Sequence, residues 1–216
     1  MSQSTKNVQP QRVAVRTGTW QFISAQLLKN LPGTVEHSRA DDLESFFHVL
    51  CWITLIYGPH SLEDVQVTNM LSQVYDSWWE SAAGGIKGGH GKVVLFILRE
   101  MKRKAQLKDG PLKDLIVELE DALSVRYQKG PSEVEWDNYN ESKALPGYTK
   151  LVATHPVQLY LNSVETLKQS DWMLALFDAA IAQPDELTDE LKKRAINTLL
   201  GSYQQNFAHH SAFQSS

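Results

Sequence analysis

The feature that most constrains this chain is the stretch from Asp41 to Tyr57, DDLESFFHVLCWITLIY. It opens on an acidic pair, which suits a helix N-terminus where free N–H groups and the helix dipole favour negative charge. From Phe46 to Tyr57 only His48 and Thr54 interrupt an apolar run. A helix apolar all round must be covered on every side. A membrane span fits poorly, because the run falls short of the roughly 20 residues needed to cross a bilayer and has acids at its head. The expectation is a central buried helix over 41–57 in a mainly α fold.

The remaining composition fits a globular core built around such a helix. With 216 residues, 42% hydrophobic and 21% charged, the chain is long enough for one or at most two domains. A net charge of −4 carries no electrostatic footprint for nucleic acid or an anionic membrane, so neither is expected as a partner. Cys51 stands alone inside the apolar run, which excludes an internal disulfide and fits a reducing compartment. MSQSTKNVQPQR lacks the apolar segment of a secretory leader, and an intracellular, cytoplasmic or nuclear, location is expected.

Periodicity and turn residues divide the chain as follows. Residues 1–15 read as a flexible arm and 16–28 as a loop pinned by Trp20 and Phe22. Gly58-Pro59 stops the central helix. Helices are expected over 62–80, 93–104, 111–127 and 163–182, the third with Leu112, Leu115, Ile116, Leu119 and Leu123 on one face. Residues 130–146 read as a long loop, 148–154 as a short extended or helical piece, 186–204 as a terminal helix and 205–216 as a disordered tail. No run of alternating strands is expected.

Several chemical signatures fail on inspection. The segment AAGGIKGGHGK, Ala82 to Lys92, lacks the strand and the G-x-x-x-x-G-K-[ST] spacing of a phosphate loop, and Trp78-Trp79-Glu80 upstream reads as no strand; a flexible surface loop is expected. The histidines, His37, His48, His60, His90, His155, His209 and His210, form no helical ligand pair, and no metal site is expected. No G-x-S-x-G nucleophile motif occurs. Glu118, Glu120 and Asp121 read as the wet face of a helix. Asp41-Asp42 can be a plain helix cap or something more.

What sets Asp41-Asp42 apart is the order in which it stands. Thr17-Gly18-Thr19-Trp20-Gln21-Phe22, then Leu27-Leu28, then Asp41-Asp42-Leu43-Glu44-Ser45 ahead of an apolar helix, resembles the C-terminal lobe of protein kinases. The fungal-type protein kinase family is most similar, with casein-kinase-one-like kinases next. Trp79, Ala82-Ala83, Lys87, Phe96 and the string Asp171 to Phe177 extend the resemblance over roughly residues 12 to 185. It implies a large-lobe fragment, 16–185, organised around an αF-like helix, with Thr17, Gly18, Thr19, Trp20 and Phe22 forming a substrate-facing, P+1-like loop. Thr19 would bond near a catalytic aspartate, while Asp42, with Ser45, would anchor the central helix beneath the catalytic loop. The usual A-P-E is here Ser24-Ala25-Gln26, so the loop glutamate that pairs with a distant arginine is missing.

Full-length relatives transfer the ATP γ-phosphate to Ser or Thr in proteins, with Mg. No H-R-D or D-F-G motif stands in Met1 to Arg16, and without such groups there is neither a base nor a nucleotide site. The expectation is therefore a truncated, pseudokinase-like chain without catalytic residues or a cofactor of its own. The alternative is a stand-alone helical interaction module that keeps the substrate-facing surface for a protein partner, its central helix exposing apolar surface where the catalytic loop would lie.

Overall fold

A computed structural model describes residues 18–183 except 83, 145–146 and 148. Thr17, the arm 1–15, the terminal helix 186–204 and the tail 205–216 lie outside the described residues. The described chain is mainly helical, with one two-stranded hairpin. Its elements are α1 (Ala25–Lys29), α2 (Arg39–Tyr57), α3 (Asp64–Leu71), β1 (Trp78–Glu80), β2 (Ile86–Gly88), α4 (His90–Leu98) and α5 (Met101–Lys104). They continue with α6 (Pro111–Ser124), α7 (Glu133–Lys143), α8 (Thr149–Thr154), α9 (Pro156–Thr166) and α10 (Asp171–Ile181).

The core lies around one side of α2. Leu43, Phe47, Cys51 and Leu55, spaced by four throughout, are buried against Ile116, Leu119 and Leu123 of α6 and Leu95 and Phe96 of α4. Each such side chain contributes ~1.5–3 kcal/mol through removal from water. α2 starts two residues before the expected Asp41. Asp41 at the third helical position accepts hydrogen bonds from Ser38 N at 2.8 Å and Ser38 Oγ at 2.7 Å, which closes a capping box around that start. Gly58 ends the helix, its N–H bonded to Thr54 O at 2.8 Å.

The expectation that α2 is covered on every side is corrected. Phe46 is 63% and Ile53 49% exposed, while Val49, Leu50, Ile56 and Tyr57 between and beyond them are only half-buried. Leu50 packs against the core, while Asp42 and the others recur every three or four positions and form one apolar stripe away from it.

Other boundaries move for local reasons. The expected helix 62–80 ends in a π-helical turn, Ser72–Asp76. Trp78–Glu80, read as no strand, pairs antiparallel with Ile86–Gly88. The glycine-rich segment is thus part of a hairpin and a helix start, not a free loop. Gly89 has φ +80°, and a Cβ at Gly91 would lie 2.5 Å from Gln73 O, so neither position accommodates another residue without displacement.

The expected helix 93–104 begins earlier, at His90, and is broken at Arg99, where φ is +50°. Met101 N turns instead to Glu120 Oε1 at 3.0 Å. The expected helix 163–182 is two helices, Pro156 opening the first under a His155 cap, whose Nδ1 accepts from Val157 N at 3.2 Å. The loop expected over 130–146 holds α7, which lacks an apolar stripe but opens on a Ser132–Glu135 capping box. α7 buries Tyr139, whose ring centroid lies 5.2 Å from that of His155. Among the described residues no helix is long and apolar enough to cross a membrane, and no group of metal-ligating side chains converges.

Glu120, expected on a wet face, is instead only 2% exposed. Burial pushes its carboxyl up to about 7, against the pull of the Met101 N–H. Between its ordinary value of 4.5 and about 7 the folded state holds a proton that the unfolded chain has released, so this residue's contribution to stability falls as pH rises through that window. Glu120→Gln keeps the acceptor for Met101 and removes the charge. The expected result is a gain of about 1–3 kcal/mol at pH 8 with little change at pH 4.5, read from urea melts at both values.

Candidate functional site

The substrate-facing loop inferred from the sequence is a tight turn: Phe22 N and Ile23 N both bond Thr19 O, at 2.9 and 3.3 Å. Gly18, at φ +130°, leads into it. Phe22 meets Trp52 of α2 edge-on, with centroids 5.8 Å apart. Trp20 lies across the glycine segment so closely that a Cβ at Gly88 would stand 2.5 Å from its ring. Loop, hairpin and central helix are therefore packed as one surface.

Asp42 and Ser45 occupy different settings. Ser45 Oγ donates to Asp41 O at 2.8 Å, an ordinary bond back into its own helix. Asp42 is 60% exposed at the head of the apolar stripe and pairs with His37 Nε2 at 3.0 Å.

The buried acids are its neighbours Asp41 and Glu44, which the motif order does not mark as site residues. Asp41 and Glu44, 1% and 0% exposed, face Arg126 just beyond α6. Arg126 Nη2 donates to Asp41 Oδ1 at 2.6 Å, and Nη1 donates to Glu44 Oε2 and to Ala40 O, the latter at 2.8 Å. Tyr127 OH donates to Glu44 Oε2 at 2.6 Å, and His48 Nε2 lies 3.2 Å from Glu44 Oε1.

This hub holds the Ser24-Ala25-Gln26 triplet. Ser24 Oγ donates to Asp41 Oδ1 at 2.6 Å, Ala25 N to Glu44 Oε1 at 2.7 Å and Gln26 N to Tyr127 OH at 3.1 Å. Arg126 is thus joined to the triplet through the acids that α2 supplies. A second tie runs from Lys92 of α4, whose Nζ donates to Ile23 O at 2.7 Å. The end of the loop is thus fixed by charged and polar groups from α2, α4 and the segment after α6.

The electrostatics follow from this geometry. Burial raises Asp41, but hydrogen bonds from Ser24, Arg126 and Ser38 outweigh it and hold the carboxyl below its ordinary value. Burial likewise opposes the charge on Glu44, while His48, Arg126 and Tyr127 bring its carboxyl down. Burial, reinforced by the Lys92 charge, lowers His48 to about 4, so at neutral pH it is uncharged and donates through Nε2 to Glu44. Its Nδ1 has no hydrogen-bond partner in this site. Burial also lowers Lys92, to about 7, against the attraction of Glu44 and Asp76.

The spacing Asp41, Glu44, His48 places these groups on one helical face and could have marked them as partners in the sequence. Arg126, Tyr127 and Lys92 carry no such signal, because only the folded chain brings them to that face.

No curated protein and no solved structure matches the chain. The motifs at Trp79 to Phe96 and Asp171 to Phe177 lie outside the family match, which covers the loop, the Ser24–Gln26 triplet and most of α2. Over residues 1–54 the chain matches the fungal protein kinase family, as the order of its front motifs suggests.

Proposed function

We propose that the described residues form the helical, substrate-side part of a fungal protein kinase-related domain, and that this chain transfers no phosphate by itself. Its role is to present the Gly18–Ile23 turn and the adjoining hairpin to a protein. The observation that carries this reading is the uncovered stripe of α2, headed by Asp42 and continued by Phe46 and Ile53. By the resemblance, this is the side on which a catalytic loop would lie. An apolar stripe so placed is a surface that another segment or chain completes. ATP and Mg belong, on this reading, to full-length relatives that phosphorylate Ser or Thr.

The test is incubation of the purified chain with radiolabelled ATP, Mg and casein or myelin basic protein. No label above a heat-inactivated control is expected, and transfer abolished by unfolding the chain would overturn the reading. In parallel, the chain should enhance ANS fluorescence, and Phe46→Ser with Ile53→Ser should lower it at unchanged melting temperature. Absence of ANS binding would remove the argument from the stripe. The second reading, a stand-alone interaction module, is favoured by Trp78 and Trp79, 60% and 42% exposed on the hairpin.

A further inference from the structure

Beside the substrate-side turn, α1, the β1–β2 hairpin and α4 enclose a pocket of about 440 Å³. Lys29 ends α1, Lys87 lies in β2 and His90 opens α4, and all three line this pocket with Trp79 and Glu80. The convergence is tertiary: Lys29 is far from Lys87 in sequence, and α1 packs against both β2 and α4. Among the described residues no carboxylate lies within ion-pair distance of Lys29 or Lys87.

We propose that this pocket receives a phosphorylated side chain of a protein partner. Two lysine ammoniums and an imidazole, carried by three elements, offer several N–H donors and two positive charges to the acceptor oxygens of a phosphate. A phosphoserine or phosphothreonine brings close to two negative charges, the number the two lysines balance. Glu80 opposes part of that attraction, so the two lysines and not the net charge of the wall set the affinity. The volume exceeds what one phosphate fills and falls in the ~300–1,000 Å³ range of ligand pockets. The remaining space, walled by Trp79 and Val93, suits the neighbouring residues of a peptide. Gly88 lies directly on Trp20, so a peptide anchored here would run toward the Thr19–Phe22 turn.

This inference rests on the protein-docking part of the proposed function, and its test separates the two. The full chain is titrated by calorimetry with a short Gly/Ala peptide carrying one central phosphoserine, with the same peptide bearing serine or glutamate, and with inorganic phosphate. The phosphopeptide is expected to bind about 10-fold or more tightly than each of the other three, with affinity falling as salt rises. K29A with K87A should lower that affinity about 10-fold, whereas E80Q should raise it a few-fold; both variants should melt as the parent does.

Equal affinity for the phosphorylated and unmodified peptides would overturn the phosphate receptor while leaving docking at this face intact. Inorganic phosphate binding as tightly as the phosphopeptide would overturn a peptide source. Phosphopeptide binding unmoved by K29A/K87A would overturn the placement in this pocket. Failure of all peptides to bind would overturn the inference, and the docking reading would then stand or fall on ANS binding alone.

Discussion

Arg126→Ala is expected to destabilise the fold by about 3–5 kcal/mol, because it leaves two buried carboxylates without their cation. Asp41 and Glu44 have essentially no access to water, and the remaining donors, from Ser24, Ser38, Ala25, Tyr127 and His48, are neutral at pH 7. One or both acids must then take up a proton or draw in water. Urea unfolding at pH 7 and at pH 4.5 reads this directly: the variant should lose less, relative to the parent, at the lower pH, where protonation relieves the uncompensated charge.

A second variant separates charge from packing. Arg126→Ala combined with Asp41→Asn and Glu44→Gln should recover part of the loss, since buried neutral groups cost less than buried ions. If the single variant lost under ~1 kcal/mol, the hub would be worth no more than an exposed ion pair. The same variant should loosen the Ser24–Gln26 triplet. Faster amide exchange at Ala25 and Gln26 is expected, because their N–H groups are held by Glu44 and Tyr127.

Phe96→Ala is expected to cost about 3–5 kcal/mol by a different route. The ring is fully buried, stacked on Tyr127 at 5.1 Å between centroids and tilted against Phe47 at 5.3 Å. Its loss opens a cavity that α2, α4 and the segment after α6 all border, and rigid helices do not close such a gap. Tyr127 also donates to Glu44, so the stack and the hub share a member. Phe96→Ala and Arg126→Ala should therefore be non-additive by at least ~0.5 kcal/mol in a double-mutant cycle, whereas variants without a shared partner would simply add.

Some elements follow from their own residues alone. α2 follows from its apolar run and acidic start, and α6 from Leu112, Leu115, Ile116, Leu119 and Leu123, because periodicity and capping are local properties. The front motifs also carried the family resemblance, and the family match over residues 1–54 covers that stretch. α7 was legible too, in the pair Ser132 and Glu135, but its polarity hid it. The hairpin was not, since the pairing of Trp78–Glu80 with Ile86–Gly88 depends on a register that three-residue strands do not announce.

Which acid goes inside depends on the packed neighbours of α2. Asp41 and Asp42 are adjacent and identical in type, yet neighbouring helical positions point about 100° apart, and the core lies on one side only. Asp41 therefore meets Arg126 while Asp42 meets solvent and His37. The same logic set Lys92 inside and Lys87 at a pocket wall, because burial is a property of where the neighbouring elements stand and not of the residue that is buried.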